Sequence, residues 1–68
     1  MFNFVEGRYD TIIREMTKPE LQNFTCVKKA QKLICQRKVS EALKLMIVDA
    51  DKIRPFSEVL YDYISAEV

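Results

Sequence analysis

Apolar residues recur three and four positions apart through most of this 68-residue chain, the spacing that makes one side of an α-helix a continuous stripe. Phe2, Val5, Tyr9, Ile12 and Met16 form the first stripe. Cys26, Val27, Ala30, Leu33 and Ile34 form the second, within an arc of about 120°, with Phe24 beside it. Val39, Ala42, Leu43, Met46, Ala50 and Ile53 follow, and Phe56, Val59, Leu60, Tyr63 and Ile64 close the series. One Gly and two Pro leave little material for hairpin turns. The pattern predicts an all-α fold: a small compact bundle of four short helices at about 4–15, 18–36, 40–53 and 55–66, in a single domain spanning 1–68.

Local signals mark the joins. Gly7 weakens the first helix by up to ~1 kcal/mol relative to Ala, and Phe2-Asn3-Phe4 alternates as a short extended segment would. Thr17-Lys18-Pro19-Glu20 matches the capping box S/T-x-x-E/Q, with Met16 and Leu21 placed for a hydrophobic staple and Pro19 in the first turn. The second helix is expected to end near Gln36, with Arg37 and Lys38 facing the negative end of its dipole. Ser40, followed by Glu41, reads as the N-cap of the third helix. Leu43 to Val48 is almost wholly apolar, which suits a central helix or, as the rival, a buried strand. Pro55 disfavours α geometry at Arg54 and can open the final helix.

A domain of this size buries only about 60% of the surface its unfolded chain exposes, so a thin core or stability borrowed from a partner is expected. No segment reaches the ~20 apolar residues of a membrane span, and the N-terminus lacks a secretory pattern. A reducing cytoplasmic location is the expectation. The cysteines agree: on one helix Cys26 and Cys35 would lie roughly 13.5 Å apart along the axis, too far for a disulfide.

The residues argue against most enzyme chemistry. His is absent, removing the commonest general base and metal ligand. Two opposed cysteines do not make a zinc site, and a single Gly cannot build a phosphate loop. No metal, cofactor or small-molecule substrate is inferred. Glu58 and Asp62, four apart, read as a solvated helix face. Cys26 reads as a small core residue, and Cys35 as a thiol on the lysine side.

Charge is the remaining functional signal. The net +1 conceals −1 over residues 1–20, +5 over 21–45 and −3 over 46–68. Lys18, Lys28, Lys29 and Lys32 share one side of the second helix, and Arg37 and Lys38 extend it. Those six residues are the candidate nucleic-acid-binding set: an accessory module contacting phosphate backbone, with little sequence specificity because no aromatic platform accompanies them. Helix-turn-helix fits poorly, since the third helix offers Lys44 and little else to base edges. The alternative is a regulatory or adaptor protein that binds another protein through a helix face, such as the acidic fourth helix, or through Phe2 and Phe4. The sequence pI of 7.7 weighs against the first reading, because dedicated nucleic-acid domains are often strongly basic.

Overall fold

The computed structural model describes the backbone of residues 4–68 and the side chains of residues 7–68. Phe2, and the side chains of Phe4 and Val5, lie outside the described residues. Among the described residues, five α-helices follow one another: α1 Phe4–Met16, α2 Thr25–Cys35, α3 Val39–Leu45, α4 Ala50–Ile53 and α5 Glu58–Ser65. Short 3₁₀ turns at Leu21–Asn23 and Ile47–Asp49 interrupt the series, and the described residues hold no strand. The chain is a small all-α bundle, as the periodicity predicts.

The core draws on every stripe. Ile12 and Met16 from α1, Val27, Ala30 and Ile34 from α2, Ala42 and Leu43 from α3, Ile53 from α4, and Leu60 and Ile64 from α5 are buried together, with Leu21 and Met46 from the connecting turns. The helix passes through Gly7 with open space where a Cβ would stand. Helices α2 and α3 make the most extensive pairing, while α5 packs on α1, α3 and α4. Arg8 and Glu67, 3.2 Å apart, fasten α1 to the C-terminal end.

Four predicted boundaries are corrected. The capping box does not start a helix at residue 18. Helix α1 runs to Met16, and Thr17 Oγ1 donates back to the Arg14 carbonyl at 2.9 Å. Gln22 Nε2 donates to the Met16 carbonyl at 2.6 Å. Residues 17–22 thus close α1, satisfying carbonyls its last turn leaves unpaired. The second helix begins only at Thr25, after an extended Phe24. Leu21 and Met16, the expected staple pair, are both fully buried.

Ser40 is not an N-cap. Helix α3 starts at Val39, with Lys38 at the cap position and no side-chain cap. The preceding join is a Schellman closure: the Lys38 amide donates to the Leu33 carbonyl and the Arg37 amide to the Ile34 carbonyl, both at 2.9 Å. Arg37 adopts φ 65°, the left-handed position where Gly is usual. Its guanidinium lies 4.6 Å from the centroid of the Tyr9 ring, and the Tyr9 hydroxyl donates to the Ile34 carbonyl at 3.2 Å. These contacts hold the unfavourable backbone in place.

The predicted helix 40–53 breaks at Met46. A helix apolar all round needs neighbours on every side, and this bundle offers no such central position. The break keeps Leu43, Met46 and Ile53 in the core and leaves Leu45, Ile47 and Val48 exposed. The final helix starts three residues late, at Glu58, with Pro55 in the preceding turn. Ser57 is its N-cap, accepting from the Leu60 amide at 3.1 Å. The same hydroxyl donates to Glu15 Oε1 at 2.6 Å, joining α5 to α1 through a buried contact.

Candidate functional site

Helix α2 carries the site, and its own packing sets which side is free. Cys26, Val27, Ala30 and Ile34 are buried against the bundle, which turns Lys28, Lys29 and Lys32 to solvent. All three lysines are exposed. Among the described residues no carboxylate stands within ion-pair distance of them, the pairs there being Arg8–Glu67 and Lys18–Glu15. The exposure of these lysines shows that the acidic α5 does not cover them.

Of the other three predicted site residues, two are engaged elsewhere. Lys18 lies in the turn after α1, with Nζ 2.7 Å from Glu15 Oε1. Lys18 first, then Ser57, holds the Glu15 carboxyl below its ordinary value of 4.5, against the opposing effect of burial. Lys18 therefore belongs to the α1–α5 junction. Arg37 is engaged with Tyr9 in the Schellman closure. Lys38 is exposed at the start of α3, near the C-terminal end of α2, and extends the lysine side at that end.

The first turn of α2 has its own electrostatic partner. No side chain of Phe24 or of the first turn caps it, and no acidic residue lies within it. Asp49, from the Ile47–Asp49 turn, supplies the negative group instead: Cys26 Sγ donates to Asp49 Oδ2 at 3.4 Å. Burial, and then this carboxylate, push the Cys26 thiol up to about 11. Cys26 is thus an inert neutral thiol at ordinary pH. Both cysteines are free, and Cys35 is exposed. Cys35 also lines a groove of about 230 Å³ with Ile13, Met16, Thr17, Gln31 and Ile34.

One feature of this end of α2 escaped the sequence. Phe24 and Phe56 form an edge-to-face pair with ring centroids 6.2 Å apart and planes at 65°. Phe24 packs against the core, whereas Phe56 remains 48% exposed. The Lys28 amide donates to the Phe24 carbonyl at 3.2 Å, so the pair stands one turn from Lys28. The Phe56 stripe position suggested core packing, and only the fold brings a ring from the α4–α5 turn to the start of α2. Among the described residues, no three His, Cys, Asp or Glu side chains gather as a metal site would require, and no helix is long and apolar enough to cross a membrane.

No family model, curated protein or solved structure matches the chain. The functional reading rests on its own residues.

Proposed function

We propose that the protein is a small accessory module that contacts nucleic-acid backbone through Lys28, Lys29 and Lys32, with little dependence on base sequence. The observation that carries this reading is the open lysine side of α2, three exposed ammonium groups with no carboxylate in ion-pair reach among the described residues. Lysine ammonium groups neutralise phosphates as mobile point charges and displace condensed counterions. Three such contacts give a log–log salt slope of roughly −2 to −3. Fluorescence anisotropy with labelled oligonucleotides across a salt series measures it. The variant Lys28→Glu, Lys29→Glu, Lys32→Glu abolishes binding while its circular dichroism and melting stay near wild type. Absence of wild-type binding at low salt, or unchanged binding by the triple variant, refutes the proposal.

A second reading has its own support. Leu45, Ile47 and Val48 leave an apolar segment at the α3–α4 break, with Val48 80% exposed. Such a segment suits a protein partner, and a salt-insensitive partner lost on Val48→Asp would favour an adaptor role.

A further inference from the structure

Resting on the nucleic-acid reading above, we infer that the ligand of the α2 surface is single-stranded, with an unpaired base stacked on Phe56. Sequence-tolerant single-strand binding combines cationic groups that follow the backbone with an exposed aromatic face. Both parts belong to α2: the lysines run along it, and Phe56 contacts Phe24, the residue that precedes its first turn. Lys28, Lys29 and Lys32 line the helix, and the Phe24–Phe56 pair lies one turn before Lys28.

Phe56 has the properties of a platform. Its edge-to-face contact is with Phe24, which is itself anchored to the core, and its backbone amide donates to the Ile53 carbonyl at 2.9 Å. The ring is therefore positioned before any ligand arrives, with about half its surface still open. Around it the charge is mixed. Lys52 and Arg54 stand against Asp51 and Glu58, and Arg54 is drawn over the Tyr61 ring at 5.1 Å. Phosphate attraction thus comes from α2, and Phe56 contributes its π-face. A duplex keeps its bases stacked on one another and offers that ring no partner.

The test compares a fluorescein-labelled single-stranded oligonucleotide with its duplex form, using the full chain. Phe56→Ala is expected to weaken single-strand binding by about 5- to 150-fold, the range for loss of one stacked base, and to leave duplex binding unchanged. Phe56→Leu, which keeps apolar bulk without a π-face, is expected to lose comparable affinity, whereas Phe56→Trp keeps it. The chain has no other Trp, so the indole of Phe56→Trp reports stacking directly: its emission is quenched by the single strand and not by the duplex. Equal affinity for single strand and duplex, with no effect of Phe56→Leu, overturns the inference but leaves lysine-dependent backbone binding intact. A concentration-dependent dimer in sedimentation, dissolved by Phe56→Leu, also overturns it, because a second copy then covers the ring. Loss of all lysine-dependent binding removes both proposals together.

Discussion

Replacing Ser57 by Ala removes a single hydroxyl that serves two elements at once. That oxygen accepts from the Leu60 amide and donates to Glu15 Oε1. Loss of an N-cap costs about 1 kcal/mol. A hydrogen bond to an ionised acceptor is worth about 1.5–3 kcal/mol, and the lower end applies because Lys18 still holds the same carboxylate oxygen. The expected loss is roughly 2–3 kcal/mol, a large share of the ~3–5 kcal/mol a core of this size supplies. At about 4–8 °C per kcal/mol for a domain of this length, the melting temperature falls by roughly 10–20 °C.

The same variant carries a pH signature. The folded state holds the Glu15 carboxyl below 4.5, so the folded chain takes up that proton less readily than the unfolded chain. Its stabilisation is complete above the unfolded value and is lost as pH falls through the lower folded one. In acid, the charge-assisted part of the Ser57–Glu15 bond is therefore lost, and the gap between wild type and Ser57→Ala narrows. Urea titrations followed by circular dichroism at neutral and acid pH measure both effects. A neutral-pH loss under about 0.5 kcal/mol, below the smallest usual cap effect, or a gap that does not narrow in acid, would refute the double role of Ser57.

Two further outcomes follow from the α2 termini. A thiol reagent at about pH 8 labels Cys35 rapidly and Cys26 slowly, because only Cys35 is exposed and the Cys26 thiol ionises near 11; two fast equivalents would contradict the burial of Cys26. At position 37 the usual order of helix propensity reverses, with Arg37→Gly more stable than Arg37→Ala by about 1 kcal/mol, since only the former relieves the left-handed backbone. Equal melting temperatures for the two variants would remove strain from the account of this turn.

The lysine side of α2 was legible because it depends only on residue type and helical period. Lys28, Lys29 and Lys32 are exposed for the same reason that Val27, Ala30 and Ile34 are buried. Lys18 was misplaced because its periodicity assumed a helix already begun. Its actual neighbour, Glu15, is three residues back on α1. Arg37 looked like an extension of the basic surface, yet Tyr9, distant in sequence, engages its guanidinium. Phe56 stayed hidden as a site residue for the converse reason, since its stripe position suggested burial.

Residue order was enough to show that this chain is helical, which stripes reach the core and where its positive charge is concentrated. Those properties follow from spacing along one helix and need no knowledge of the neighbours. The folded structure decided where the second and last helices start and where the third one breaks. The Thr17-to-Glu20 motif is locally sound as a helix start, but α1 claims Thr17, Lys18 and Gln22 for its own end, and the available carbonyls and carboxylate are already there. Likewise, no local signal breaks the chain at Met46. The bundle does so because it has room to bury only some of the apolar residues around that helix, leaving Leu45, Ile47 and Val48 outside.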